Sequence, residues 1–456
     1  MPQQPVRPQA TQLNRALSRF EVVFWRLAQA GSLNVTMIAA VHGSLSEDVL
    51  VAGLQFLRQR HPLLQVRICK TDGPARYVST DVPDLPLHIV NCSTDDCEAV
   101  AEEELNDPID AERGPLARCT WVCHDDSTHH LLITFHHVIG DGMSGVFLIR
   151  DLVQAVAAQM SGGAQLTGGE ESLFSPLHDN LPMDLRLPYQ ARGLRGVWRQ
   201  VRFVAGITFD DVRWRPPTRP AANQQTRLSA RRTRLICRTF DPATVDQLAR
   251  QARKQGTTVH GALSAAVCLA TVKDTANTEA MSVKHRSPVN MRQLLDPQVS
   301  EDVGMFASMA FYRGRVKSED DFWALARAIR FSIKHQIDRG VPAVLIGMLP
   351  RLYRMIRGDR LSADEFGARW QKRTPSTTGL TNLGRVELAG DFGPLEVRSL
   401  HFAVSPGALG DCACTATTYA GSLRWNFLYA SPLFNAERAN GITDDAVARL
   451  MRAIAD

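Results

Sequence analysis

The chain has 456 residues, 44% of them apolar and 22% charged, a balance that excludes disordered and collagen-like classes. Lys and Arg number 52 against 47 Asp and Glu, leaving +5, too small an excess over this length to point to nucleic acid. Nine cysteines, an odd count with no C-x-x-C pair, argue against a disulfide framework and against a zinc site.

The opening segment, MPQQPVRPQATQ, lacks the apolar core of a signal peptide. The longest apolar stretch, Ala262 to Val272, is too short to span a bilayer, so a cytoplasmic location is expected. No repeat of about 20–50 residues is visible, which removes solenoids and propellers.

Strand and helix signals alternate along the chain. Asn34–His42 reads as a strand, Ser46 as the cap of a helix to Arg60, and Pro62 as its stop before a strand over 63–68. Ala117–His124 and His130–His136 read as paired strands around a polar turn at 125–129, which puts His129 and His130 at the surface. Helical spacing then runs from Asp141 to Met160. The next stretch, SGGAQLTGGEES (161–172), has the composition of a flexible connection.

Between Arg186 and Arg234 lie twelve arginines and no lysine, against Asp210 and Asp211, a local excess of +10. Trp198, Phe203, Phe209 and Trp214 are interleaved with them. Regular signals resume with a strand at Arg234–Phe240 and a helix from Thr257 or Thr258 to Leu269. Strands follow at Met281–Pro288, Met305–Tyr312, Leu395–Val404, Cys412–Tyr419 and Ser422–Tyr429, with a closing helix from Thr443. The pattern predicts two α/β units, 1–180 and 234–456, joined by a basic connector, 181–233.

The sharpest local feature is LLITFHHVIGDGMSG, residues 131–145. Strand alternation sets Leu131, Ile133, Phe135 and His137 on one face, with Leu132, Thr134 and His136 on the other. Gly140-Asp141-Gly142 then turns the chain into a helix. A histidine held at a strand end among apolar neighbours can stay neutral at pH 7 and so accept a proton, the alternative being a satisfied core histidine.

The spacing of His136, His137, Asp141 and Gly142, HH-x-x-x-DG, resembles the signature of the chloramphenicol-acetyltransferase-like acyltransferases. That superfamily includes nonribosomal peptide condensation domains, plant BAHD enzymes, wax ester synthases and mycobacterial polyketide-associated acyltransferases. Further segments share the resemblance: RHPLLQVRI (60–68), GPLAR (114–118), SPVNMR (287–292), EDVGMFASMAFYR (301–313) and TNLGRV (381–386). Asp391-Phe392-Gly393 is similar to part of a plant-branch element but lacks its Trp-Gly, and reads as a turn that positions a crossing strand.

The resemblance implies two subdomains, each a mixed sheet with flanking helices, forming a V around a central tunnel. It implies His137 as general base in acyl transfer from a thioester to a hydroxyl or amine. Asp141 would pair with an arginine, Arg292 being the matching candidate, while His136 and Gly142 would shape the loop. Asn382 is a candidate oxyanion donor or channel residue, the alternative being turn formation. No metal or bound cofactor is implied. The donor would be an acyl group on phosphopantetheine, either coenzyme A or an acyl carrier protein arriving in trans, and a monomer is expected.

For the connector, a solvated linker stands beside docking of an anionic donor through Arg195, Arg199 and Arg202. Nucleic acid is disfavoured for want of a binding module, and a membrane surface enters only for a lipid acceptor. The product divides between an ester and the amide of a stand-alone condensation domain. A non-catalytic carrier-docking module is the alternative from another class.

Overall fold

The computed structural model describes residues 13–70, 73–91, 97–162, 182–187, 194–198, 200–202, 205–206, 216–276 and 279–455. The first half opens with β1 (Asn14–Ala16) and α1 (Arg19–Ala30), whose start is fixed by a capping box between Ser18 and Glu21. β2 (Asn34–His42) and α2 (Glu47–Arg60) fall where the sequence predicts them. The expected strand over 63–68 is shorter: Pro62–Gln65 forms a 3-10 turn with Pro at its first position, and only β3 (Arg67–Cys69) is extended.

β4 (Arg76–Val78), β5 (Leu87–Asn91) and α3 (Cys97–Asn106) lead to the hairpin of β6 (Ala117–Cys123) and β7 (Thr128–His136). The turn between them is tighter than expected, because the Asp125 carboxylate accepts backbone N–H bonds from Ser127 and Thr128 at 2.8 and 2.7 Å. β7 therefore begins at Thr128, and the surface position expected for His129 is corrected to a buried one against the Trp121 ring. α4 (Gly142–Met160) closes this half.

The second half runs β8 (Arg232–Phe240), α5 (Pro242–Lys254), α6 (Val259–Ala276), β9 (Met281–Asn290) and β10 (Ala307–Val316). α6 is apolar all round and buried between sheet and helices. Three helices follow: α7 (Phe322–Asp338), α8 (Val341–Met355) and α9 (Ala363–Arg373). β11 (Thr378–Arg385), β12 (Glu396–Val404), β13 (Cys412–Tyr419) and β14 (Ser422–Ser431) complete the strands. The last helix, α10 (Ala436–Ala455), begins seven residues before the expected Thr443, where Asn435 accepts from the Arg438 N–H at 2.9 Å.

Three sheets result: β1-β4-β3, β12-β2-β7-β6-β5 and β10-β9-β11-β13-β14-β8. The second holds four of the first half's strands, β2, β5, β6 and β7, plus β12, which crosses from the second half to pair antiparallel with β2, Phe402 opposite Met37. Thr415 on β13 donates to the Phe402 carbonyl at 2.6 Å, joining the crossing strand to the third sheet. One core cluster runs through both halves, from Phe135 and Ile149 to Phe306 and Phe402. No helix among the described residues is long and apolar enough to cross a membrane.

Candidate active site

β7 carries its alternation to the end: Leu131, Ile133 and Phe135 enter the shared core, while Leu132 packs on the opposite face with α3. His137 follows as the first residue of the turn, its backbone N–H donating to the Leu33 carbonyl at 3.2 Å. Its imidazole lies edge-on to Phe24 of α1, ring centroids 5.4 Å apart. Nδ1 sits 2.7 Å from the Gly140 carbonyl oxygen, which can only accept, so Nδ1 carries the proton and Nε2 is the basic lone pair. Burial pushes the His137 pKa below 6.5; the Gly140 bond and the Asp141 charge oppose this without overcoming it. The ring is thus neutral at pH 7 and able to take a proton.

His136 faces the other way. It is buried, its Nδ1 accepts from the Val138 N–H at 3.1 Å, and burial together with His137 pushes its pKa down to about 3. It stays neutral and shapes the turn.

Asp141 is the cap of α4. One carboxylate oxygen accepts from the Ser144 N–H and hydroxyl, both at 2.9 Å. The other accepts from Arg292 Nη1 at 2.8 Å and from the Phe306 N–H at 3.1 Å. Arg292, itself buried, also reaches Ser144 Oγ at 3.1 Å and the Asp302 carbonyl at 3.0 Å. Burial alone would raise the Asp141 pKa; Arg292 and Ser144 hold it below the ordinary value. A second tie spans the halves nearby, Arg150 to Glu301 at 2.8 and 2.9 Å. Behind α4, Asp151 accepts from Arg60 at 2.7 Å and lies 2.9 Å from His61, which accounts for the RHP segment.

Gly142 begins α4 where a Cβ would stand 2.7 Å from Leu383 Cδ2. Asn382 Oδ1 accepts from the Gly384 N–H at 2.7 Å, and Gly384 has φ +74 within a register shift of β11. Asn382 is absent from the described lining of the cavity that holds His137; its neighbour Thr381 is on it. Asn382 Oδ1 thus holds the turn, and the β11 hydroxyl on the lining belongs to Thr381, which sequence reasoning did not single out.

The cavity measures about 1740 Å³ and lies between the halves. Phe20, Phe24, Leu27, Val344, Met348 and Phe402 give it an apolar share of its wall, with Phe24 against His137. Connector residues reach its rim: Gln200, Val201 and Arg202 line it, and Gln200 bonds Arg351 of α8. Arg195 and Arg202 are exposed, whereas Arg199 lies outside the described residues. Other connector arginines are structural, Arg219 and Arg231 sharing Asp411, and Arg186 buried 3.8 Å from Asp302. No group of three or more metal-ligating side chains converges among the described residues.

Two family models match the chain. Residues 25–172, from α1 through the histidine turn and α4, match the condensation domain. Residues 225–417, which carry Arg292, β11 and β12, match the phthiocerol/phthiodiolone dimycocerosyl transferase C-terminus. Among curated proteins, tyrocidine synthase 3 of Brevibacillus parabrevis is 28% identical over 158 residues, 34% of this chain and 2% of that protein. A probable non-canonical nonribosomal peptide synthetase of Salinispora arenicola is 25% identical over 359 residues, 72% of this chain and 4% of that protein. The chain spans only a few per cent of the length of these relatives.

Solved structures share the whole fold. Trichothecene 15-O-acetyltransferase from Fusarium sporotrichioides aligns with TM-score 0.72 at 13% identity, covering 99% of this chain and 97% of that one. Polyketide synthase associated protein 5 from Mycobacterium tuberculosis gives 0.66 at 18%, covering 98% of each. The first condensation domain of the calcium-dependent antibiotic synthetase gives 0.66 at 14%, covering 97% of each. With one match carrying the histidine turn and the other its arginine partner, the two halves of the chain match in turn the condensation domain and the dimycocerosyl transferase C-terminus, and the chain shares the fold of solved condensation and acyltransferase domains.

Proposed function

We propose that the chain transfers an acyl group from a thioester to a hydroxyl acceptor, forming an ester, with His137 as general base. The observation that carries this is the Nδ1–Gly140 hydrogen bond, which fixes the tautomer and leaves a neutral Nε2 for the cavity. As the acceptor oxygen attacks the thioester carbonyl carbon, its proton passes to Nε2. When the tetrahedral intermediate collapses, the C–S bond breaks and the leaving thiolate takes that proton back, restoring the neutral ring. A base so placed is worth about 10²- to 10⁴-fold, and confining both substrates supplies much of the rest.

Direct transfer is favoured over an acyl-enzyme. The serine hydroxyls on the described lining are occupied, Ser308 with the Pro342 carbonyl at 2.7 Å and Ser332 with the Phe311 carbonyl at 2.8 Å. The cavity exceeds the roughly 300–1,000 Å³ of a single small-molecule pocket, in keeping with two substrates meeting in it. Its apolar wall suits an acyl chain. The donor is coenzyme A or a carrier protein's phosphopantetheine, with its acidic part docked along Arg195 and Arg202.

The dimycocerosyl transferase match supports the ester. The condensation-domain match supports a second reading, amide formation on an amine, which would use the same proton transfer. Acyl-CoA donors offered with alcohols and with amines separate the two. His137→Ala should lose at least about 10²-fold in rate while keeping its fold. Transfer at the wild-type rate in that variant would overturn the base assignment, and a docking module would show no transfer in either protein.

A further inference from the structure

The cavity wall is strongly cationic. Eight Lys and Arg side chains are on the described lining against two carboxylates, and both of those are engaged, Asp141 by Arg292 and Asp338 by Lys334. Strand alternation explains part of this. Lys284, Arg286 and Pro288 share the cavity face of β9, and on β10 Phe311 stands opposite Arg286 and Arg313 opposite Lys284. Lys284 Nζ lies 4.3 Å from the Phe311 ring centroid on that face.

Arg286 is the informative member. Its guanidinium lies over Gly410, where a Cβ would come within 2.5 Å of Nη2, so a larger residue there would push the end of the Arg286 side chain aside. Nη1 donates to the Leu409 carbonyl, and no carboxylate pairs with Arg286 among the described residues. Asp411, close by, is already shared by Arg219 and Arg231. Burial lowers the Arg286 pKa to about 10, which still leaves it charged at neutral pH. A half-buried guanidinium that lines the cavity with most of its five donors unspent is placed to meet an anion there. Lys372 and Arg373, in the last turn of α9, add further positive charge to the same lining.

We propose that Arg286, with Lys284 beside it on β9, forms an anion subsite in the cavity wall for a phosphate, sulfate or carboxylate carried by one of the two substrates. The assignment rests on reading this cavity as the place where both substrates bind. A bidentate contact to Arg286 would orient that substrate, leaving its reacting end for the apolar part of the cavity beside His137.

The test is calorimetric titration of the full chain with inorganic phosphate, coenzyme A and pantetheine at matched ionic strength. Wild type and His137→Ala should bind phosphate and coenzyme A, and Arg286→Gln should bind them at least tenfold more weakly. Gly410→Ala, which displaces the guanidinium without removing it, should weaken both as well, and it guards against misfolding of Arg286→Gln. A preference for coenzyme A over pantetheine that disappears in Arg286→Gln assigns the anion to the donor's phosphates. Equal binding of coenzyme A and pantetheine, with Arg286-dependent phosphate binding, assigns it to the acceptor. Phosphate and coenzyme A binding unchanged in both variants, or absent from wild type, overturns the subsite. Arg286-dependent binding without any acyl transfer would instead leave the subsite standing and remove the acyltransferase reading.

Discussion

Arg292 Nη1 donates to Asp141 Oδ2 at 2.8 Å across 151 residues of sequence, and this pair locks the second half of the chain onto the turn that carries His137. Both side chains are buried, so replacing either alone strands a charge. Arg292→Met should therefore cost about 3–5 kcal/mol of stability in urea unfolding. Arg292→Met combined with Asp141→Asn should cost less than Arg292→Met alone. Because the Asp141 carboxyl is held below its ordinary value of 3.8, its contribution is complete above that pH and disappears as pH falls through the lower folded value. A single substitution that left the unfolding midpoint unchanged would contradict this role.

The pH profile tests His137. Burial lowers its pKa below 6.5, so the proton-accepting form prevails at neutrality. kcat/KM should rise with pH through an inflection below 6.5 and then stay level through pH 7. The sign follows from the chemistry, since acid protonates Nε2 and removes the base. An inflection above 6.5 would place the limiting proton elsewhere.

Two glycines of the turn separate positioning from simple packing. At Gly140 a Cβ would lie 2.6 Å from the Phe135 ring and 3.1 Å from Ser144 Cβ, and Phe135 is fully buried. Gly140→Ala must therefore move the carbonyl that holds His137 Nδ1, at a cost of about 1–3 kcal/mol. It should also shift the acid limb of the pH profile and lower kcat by at least about tenfold, an effect a purely structural residue would not produce. At Gly142 the tight contact of a Cβ is with the end of Leu383, Phe402 standing at an ordinary 3.6 Å, so Gly142→Ala should be milder and relieved by Leu383→Ala.

β11 offers a test of where oxyanion stabilisation comes from. Thr381 lines the cavity with no hydrogen-bond partner among the described residues, whereas Asn382 Oδ1 is occupied by the Gly384 N–H. Thr381→Val removes the hydroxyl at nearly constant volume and should lower kcat by about 10²-fold or more if that hydroxyl meets the developing oxyanion. Asn382→Ala should instead cost stability through loss of the turn bond. Equal kinetic damage from both would point to β11 distortion.

The sequence made the local site readable and left the long-range part obscure. His136, His137 and Asp141 are close in sequence, and a short turn between a strand and a helix dictates their geometry. The position of β12 was legible from its apolar pattern, but its pairing with β2 was not, because alternation reports burial and not the identity of a neighbour. His129 was misplaced because two adjacent histidines look polar, while the Asp125 side chain had already closed the turn. Asn382 drew attention through its amide, whereas the β11 side chain set on the cavity lining is that of its neighbour Thr381. Arg286 gives no warning in sequence, since a lone arginine in a strand reads as a solvated face.

The connector supplies the last prediction. Helical residues 194–198 and 200–202 expose Leu194 at 81%, Trp198 at 68% and Val201 at 53%, with Arg195 and Arg202 also exposed. Val201 and Arg202 stand on the cavity rim, so whatever docks here stands at the entrance. If the donor's acidic part docks there, Arg195→Glu with Arg202→Glu should raise KM for coenzyme A or carrier donors several-fold and leave kcat nearly unchanged. The penalty should shrink as salt is raised, because exposed charges are screened over about 10 Å at 0.1 M. A loss confined to kcat would place these arginines in the chemical step, and an unchanged KM at low salt would return the segment to a solvated linker.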